Sequence, residues 1–262
     1  MSGYYAGRGR SLSRRALANQ VILVQIRAIH RDSRETYGSP RMHAELRAQG
    51  RVCNLKRIAR LMRLNKIKAR HKRSYHPTTH RDVRLPVAPN RLDQKFLAQA
   101  PNETWLTDVT AIPTQEGWLH LAAVLDLYSR RVLGWAMATV NDTDLVSAAL
   151  HMALGRRGPE PGTLHHSDRG SPYASAAYQT LLSQRGFIVS MSGAGNCYDN
   201  APMESFFGTL KAECAHWQRY RTRDEARQDL VRYIESWYNS RRRHSALGYM
   251  CPNDFENARP MS

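Results

Sequence analysis

Between Trp118 and Tyr128 apolar side chains fall on every second position, at Leu119, Leu121, Ala123, Leu125 and Leu127, the pattern of a strand with one face against a core. The same period flanks it on both sides. Glu103 to Ile112 is rich in Trp, Val, Thr and Ile, and Arg131 to Thr139 follows after a turn, so three strands with short connections are expected to lie antiparallel. Beyond them helix and strand patterns alternate: a helix over 142–157 closed by Gly158-Pro159, a strand over 163–166, a helix over 175–184 and a strand over 187–190. That order predicts a mixed five-stranded sheet flanked by helices, an α/β domain spanning 101–262. Gly193-Ala194-Gly195-Asn196 reads as a loop before a helix over 200–214. Thr222-Arg223-Asp224-Glu225 has the spacing of a capping box and is expected to start the last long helix, ending near Ser240.

The first 70 residues carry the helical period instead. Leu17, Val21, Val24 and Ile29 predict one buried stripe on a helix over 16–30. Tyr37-Gly38-Ser39-Pro40 breaks the chain, with Ser39 placed to cap and Pro40 to enter the first turn of a helix over 40–49 that Gly50 ends. A third helix begins at Asn54, with Leu55, Ile58, Leu61 and Met62 on one side and Lys56, Arg57, Arg60 and Arg63 on the other. Three short helices with a basic last one resemble a helix-turn-helix unit, and the four basic residues are its expected DNA contacts. The basic run continues through Lys66, Lys68, Arg70, Lys72 and Arg73. From 71 to 100, Pro77, Pro86 and Pro89 interrupt a polar stretch with no sustained period, which reads as a basic linker.

The formal net charge of +17 is unevenly spread: residues 1–100 hold 23 Lys/Arg against 5 Asp/Glu, whereas residues 101–215 hold 7 against 11. A basic flank of this size attracts polyanions, and an acidic centre within a basic chain points to metal-assisted work on the same polyanion. The first residues are polar and Arg-rich with no apolar core of a signal peptide, and no apolar run approaches a membrane span, so a cytoplasmic protein without membrane contact is expected. The four cysteines, Cys53, Cys197, Cys214 and Cys251, form no CxxC pair and read as reduced thiols.

Within the acidic region three carboxylates stand among small polar and apolar residues: Trp-Leu-Thr-Asp108-Val-Thr, His-His-Ser-Asp168-Arg-Gly-Ser and Asn-Ala-Pro-Met-Glu204-Ser-Phe-Phe. The pattern puts Asp108 mid-strand, Asp168 at a strand end and Glu204 on a helix, positions that an α/β scaffold brings together at the C-terminal edge of its sheet. Three unpaired carboxylates in one place require cations, and oxygen donors suit Mg²⁺. Two such ions activate the attacking oxygen and stabilise the leaving oxygen of a phosphodiester displacement, with no side-chain nucleophile needed. Lys211, seven residues after Glu204, falls on nearly the same helical face and is placed to touch DNA phosphate. Asp126 is assigned a structural role, His165 and His166 packing, and Tyr198, Asp199 and Asn200 a turn and helix cap. Trp105, Trp118, Trp135, Trp217 and Trp237 are assigned to the core. The run Arg241-Arg242-Arg243-His244 reads as either a solvated helix end or a phosphate contact.

The spacing of 59 residues between Asp108 and Asp168 and 35 between Asp168 and Glu204 resembles the DDE triad of the retroviral-integrase superfamily. The surrounding words are more specific. Tyr-Gly-Ser-Pro-Arg at 37–41, Leu-Asp-Leu-Tyr-Ser-Arg-Arg at 125–131, His-Ser-Asp-Arg-Gly-Ser at 166–171, Gly-Asn-Cys-Tyr-Asp-Asn-Ala at 195–201, Glu-Ser-Phe-Phe-Gly-Thr-Leu-Lys at 204–211 and Tyr-Asn-Ser-Arg-Arg-Arg-His-Ser-Ala-Leu-Gly-Tyr at 238–249 resemble the OrfB transposases of bacterial insertion sequences. The resemblance implies a ribonuclease-H-like sheet and metal-dependent cleavage and strand transfer at the ends of a mobile element. It further implies Asp108, Asp168 and Glu204 as ligands of two Mg²⁺ ions, with Mn²⁺ as substitute, and Lys211 as the basic position after the Glu. The implied partners are element-end and target DNA, further copies of the chain, and an upstream-frame protein or fusion. Pro172 and the pair Pro202-Met203 depart from the family's pattern, and the chain has no amino-terminal His-His-Cys-Cys zinc module. Two other functions suit the same sequence: a nuclease that hydrolyses without joining, and a catalytically idle DNA-binding regulator of transposition.

Overall fold

The computed structural model describes residues 13–70, 88–193 and 197–258, with Cys197 and Tyr198 described in backbone alone. His71, Lys72, Arg73, Pro77, Pro86, Ala194, Gly195, Asn196 and the Tyr198 side chain, all named above, lie outside the described residues. The chain divides into two compact units, Met1–His71 and Lys72–Ser262. Among the described residues no helix is long and apolar enough to cross a membrane, and Cys53, Cys214 and Cys251 are free thiols.

The described residues of the first unit form three helices: α1 (Arg14–Asp32), α2 (Ser39–Ala48) and α3 (Leu55–Leu64). Its core is Ile22, Ile26 and Ile29 of α1 with Tyr37, Met42, Leu46, Ile58, Leu61 and Met62. The expected stripe on α1 is corrected by this packing, because Leu17, Val21 and Val24 are exposed and only Ile29 of the four is buried. Val21-Ile22-Leu23-Val24 places apolar groups around the whole helix, and periodicity cannot tell which of two helically spaced faces meets the neighbours. Ser39 is the first helical residue rather than the cap, a position held by Gly38, with Pro40 in the first turn. Asn54 caps α3 by accepting from the Lys56 N–H at 2.8 Å. Leu55 stays exposed.

The second unit holds one five-stranded sheet in the order β3-β2-β1-β4-β5, formed by β1 (Thr104–Thr114), β2 (Gly117–Asp126), β3 (Val132–Ala138), β4 (Leu164–Ser167) and β5 (Ile188–Met191). The first three are antiparallel neighbours, while β4 and β5 run parallel to β1, giving the mixed sheet that the pattern predicts. Helices cover both faces. The even-numbered residues of β1, Leu106 and Ile112, pack with α7 (Ala201–Glu213) and α8 (Arg223–Arg232). Trp105 and Val109 pack on the other face with α4 (Thr143–Arg157) and α6 (Ala176–Gln184), next to the short α5 (Ser171–Ala174). α4 comes so close to β3 that a Cβ on Gly134 would lie 2.2 Å from the Ala149 carbonyl oxygen.

Residues 88–100, part of the expected linker, are packed on this unit. Leu92 is buried in the α7 face of the core, and the N–H groups of Arg91 and Leu92 donate to Ser190 Oγ. Trp105 is buried as expected, whereas Trp118, beside the turn of the β1–β2 hairpin, is exposed. Trp135 and Trp237 are half-buried and Trp217 is exposed. Asp126 is structural: buried at the end of β2, it accepts from the N–H groups of Asn102 and Tyr128 at 2.9 and 2.8 Å and ties off the turn into β3.

α8 (Arg223–Arg232) runs on into a π-helical turn at Tyr233–Tyr238, which turns Tyr233, Ile234 and Tyr238 inward, and a further short helix, α9 (Pro252–Asn257), follows. Arg242 contradicts both readings of the basic run after the π-helical turn. It is buried, and its guanidinium bonds the Glu213 carboxylate at the end of α7 through Nε and Nη2 at 2.7–3.0 Å. Tyr233 Oη donates to the same carboxylate at 2.9 Å, and the guanidinium carbon lies 5.9 Å from the Tyr238 ring centroid. Removing one partner of a buried pair strands the other charge, so Arg242→Met is expected to destabilise this unit by about 3–5 kcal/mol. Urea unfolding followed by tryptophan fluorescence measures this, since all five tryptophans lie after residue 100. Glu213→Leu in the same chain should recover most of the loss.

Candidate active site

β1 and β4 pair with a constant offset, Thr104 with Leu164, Trp105 with His165 and Leu106 with His166. Asp108 and Asp168 keep that offset two residues beyond the last pair. Both therefore project from the face that α7 covers. α7 buries Met203, Phe206, Phe207 and Leu210 against the sheet and leaves Glu204 outside this apolar stripe.

The electrostatics record the proximity. Asp108 is half-buried, and lost hydration of its carboxylate is the largest of the influences that hold its pKa well above the ordinary value. The charge of Asp168 pushes it further up, and Glu204 adds to the push, while the Val109 N–H bond to Asp108 Oδ1 at 2.8 Å and the charge of Lys211 pull it down. Lys211 is partly buried, which lowers its pKa, and Asp108 acts against that. Three acids and the lysine thus share one end of the sheet. Among the described residues, however, no three His, Cys, Asp or Glu side chains form a ready-made metal cage. At Asp108, burial and the like charges of Asp168 and Glu204 outweigh the Val109 N–H bond and the charge of Lys211.

Asp168 depends on two residues that pattern reading did not single out. Its Oδ1 accepts from the Gly170 N–H at 2.9 Å, and a Cβ on Gly170 would sit 2.9 Å from the same oxygen. Arg169 Nε donates to the Ser192 carbonyl at 2.6 Å, tying the end of β4 to the end of β5. Tyr173 is the other missed neighbour. Its buried phenol lies close enough to Asp108 and Asp168 for both charges to raise its pKa. Thr107 Oγ1 donates to the Ala123 carbonyl, so the 3.1 Å contact between Tyr173 Oη and Thr107 Oγ1 is a bond in which the tyrosine donates. The word His-Ser-Asp-Arg-Gly-Ser-Pro-Tyr held the signal, but a glycine's neighbour across a turn is not visible in sequence.

His165 and His166 are packed, as expected. His165 Nε2 meets Tyr178 Oη at 3.1 Å, and both His166 ring nitrogens face serines, Ser190 at 2.8 Å and Ser192 at 3.3 Å. Burial and its neighbour His166 take His165 down to about 3, and burial takes His166 to about 4, so both are neutral at physiological pH. Asp199 is buried and anchors the turn before α7, accepting from Asn90 Nδ2, Gln94 Nε2 and the Gly193 N–H.

In the first unit Lys56, Arg60 and Arg63 are exposed along α3. Arg57 departs from the expected basic face: its Nε donates to Asn19 Oδ1 of α1 at 2.9 Å and its Nη2 is buried. The position adjoins Ile58 and Leu61, so the helix turns it toward the bundle.

Asp108 has a raised folded pKa, so protonation favours the folded state. The contribution is present at low pH and is lost as pH rises through that pKa. Asp108→Asn is therefore expected to raise the melting temperature of the metal-free protein at pH 7, with the gap closing as pH falls below the ordinary carboxylate value. Gly170→Ala should leave the melting temperature within about 1–2 °C, because a mobile carboxylate gives way to the new methyl. It should lower turnover about tenfold or more by displacing Asp168.

An integrase core domain matches residues 98–197 and again 185–252, and an HTH-like domain matches 16–75. The chain is 43% identical over 254 residues to the "Insertion element IS600 uncharacterized 31 kDa protein" of Shigella sonnei, covering 97% of this chain and 93% of that one. It is 44% identical over 225 residues to "Transposase InsF for insertion sequence IS3A" of Escherichia coli K12, covering 86% and 78%. The catalytic core domain of HTLV-2 integrase, solved in a trimeric form, superposes with a TM-score of 0.48 at 15% identity, covering 60% of this chain and 97% of that one.

Proposed function

The chain belongs to the transposases of IS3-type insertion sequences and its integrase core makes it an enzyme of the polynucleotidyl-transferase class, and we propose that Asp108, Asp168 and Glu204 are its catalytic metal ligands. The observation that carries this reading is the Asp108 carboxyl, raised by Asp168 and Glu204 as well as by burial, at the end of a sheet where a lysine is also in reach. Anionic oxygens that disfavour each other's ionisation fit a divalent cation. The oxygen-only donor set suits two Mg²⁺ ions, with Mn²⁺ as substitute, and the neutral, hydrogen-bonded His165 and His166 stay outside the set. Bound there, such ions supply charge neutralisation to the attacking and leaving oxygens of a phosphodiester.

The rest is work for the chain's own residues. The backbone N–H groups of Val109 and Gly170 orient the two aspartates, and Arg169 holds the end of β4 in place. Lys211 binds a DNA phosphate beside the acids and offsets their charge. Water is the first nucleophile, releasing a 3′-hydroxyl at the element end, and that hydroxyl then attacks target DNA. Positioning and charge stabilisation are what phosphoryl transfer asks of a protein. Residues 1–70 supply an end-binding module through Lys56, Arg60 and Arg63, and the exposed side chains make that contact strongly salt-dependent. Arg57 serves the helical bundle instead. The enzyme works on paired ends as a homo-oligomer in the cytoplasm, at the nucleoid, and joins an upstream-frame protein or fusion for end recognition.

Asp108→Asn and Glu204→Gln are expected to cut both strand cleavage and joining by about a hundredfold or more, the scale of losing a group that stabilises developing charge. DNA affinity should stay within a fewfold of the parent. Supplying Mg²⁺ and a pre-nicked end separates the alternatives: hydrolysis without any joined product marks a nuclease, and variants indistinguishable from the parent mark an idle DNA-binding regulator.

A further inference from the structure

Asn200 carries a polar atom that the protein itself does not use. It holds the N-cap position of α7, yet its side chain makes none of the bonds to helical N–H groups that a capping asparagine ordinarily makes. Its Nδ2 donates instead to the carbonyl of Thr107, the residue before Asp108, at 3.1 Å. That bond fixes the amide's orientation, because a carbonyl only accepts, and Oδ1 is left on the other side. Oδ1 has no donor among the described residues, although Asn200 is only 6% exposed. A buried acceptor without a partner costs stability and calls for an explanation.

Its surroundings narrow the explanation. Asn200 precedes Glu204 by four residues, about one helical turn, and adjoins Asp108 through Thr107. The groups gathered here are mostly acceptors, and DNA phosphate oxygens are acceptors too. A partner for Oδ1 has to bring a hydrogen. On the reading of the site given above, the reaction brings one such group in each step, the hydroxyl of the nucleophile.

We propose that Asn200 Oδ1 accepts a hydrogen bond from the hydroxyl nucleophile, water in cleavage and the DNA 3′-hydroxyl in joining, and so aims its oxygen at phosphorus. The bond that forms is nucleophile oxygen to phosphorus. The bond that breaks is phosphorus to the leaving oxygen, whose electron pair takes up a proton as the nucleophile's own proton passes to solvent. Asn200 exchanges no proton; it fixes direction.

Pre-cleaved element ends carrying either a 3′-hydroxyl or a 3′-hydrogen, bound to the full chain in Mg²⁺ without target DNA, read the joining step without turnover. The parent protein is expected to hold the hydroxyl end about tenfold tighter, the scale of one buried hydrogen bond, and Asn200→Ala to bind both ends equally. Single-turnover cleavage at saturating DNA reads the water step, and should slow about tenfold or more in the same variant. Asn200→Ala also removes the Nδ2 bond to the Thr107 carbonyl and is expected to melt somewhat lower than the parent. An Asn200→Ala protein that keeps the parent's end preference and cleavage rate overturns the proposal. Asp108→Asn run alongside separates the two ideas: if it still cleaves, the reading of the site falls, and if it is inert while Asn200→Ala is unaffected, only the role of Asn200 falls.

Discussion

The pairing of β1 with β4 is the relation on which the second unit's chemistry depends. A parallel ladder with a constant offset carries two aspartates to equivalent positions just past its end, on one face of the sheet. β1 stays paired with β2 through Asp108, which sits opposite Ala123, so Asp108 cannot swing away with its strand. Lost hydration is the largest influence that raises the Asp108 pKa, and the like charges of Asp168 and Glu204 beside it add to the rise. Holding the acids there costs the free protein stability.

The third acid comes on a different kind of support. α7 brings Glu204 on its first turns and Lys211 on its last, and both depend on how the helix lies against the sheet. Its apolar stripe sets the rotation, Asn200 ties its start to β1, and Glu213 ties its end to Arg242 on the segment after the π-helical turn. A buried ion pair gains little over an apolar pair of the same volume. Its use here is directional, since a bidentate guanidinium with a tyrosine on the same carboxylate admits one geometry. Packing fixes the depth of the helix and the ion pair its end point.

Some of this could be read from residues alone, and the failures share a cause. Alternation in β2 and the short connections around it were enough for the antiparallel strands, because each signal is local. Capping at Asn54 and Thr222 was equally local. The buried face of α1 was misread because Leu17, Val21 and Val24 satisfy the helical period as well as Ile22, Ile26 and Ile29 do. Arg242 was misread because an arginine in a basic run looks solvated until Glu213, 29 residues earlier, is seen to meet it. Leu92 in a Pro-broken polar stretch, Gly170 beneath Asp168 and Tyr173 behind Thr107 escaped for the same reason. Each acquires its role from a partner that sequence order does not name.

Sequence by itself determined the element types, the mixed sheet and the identity of three acids worth watching, because side-chain period and motif spacing are written along one dimension. Tertiary structure decided which face each element buries, that Arg57 and Arg242 serve the protein interior, and that Gly170, Tyr173 and Asn200 surround the acids. Burial, hydrogen-bond direction and the mutual shift of carboxyl pKa values are properties of pairs in space. They come into being only when β1, β4 and α7 meet.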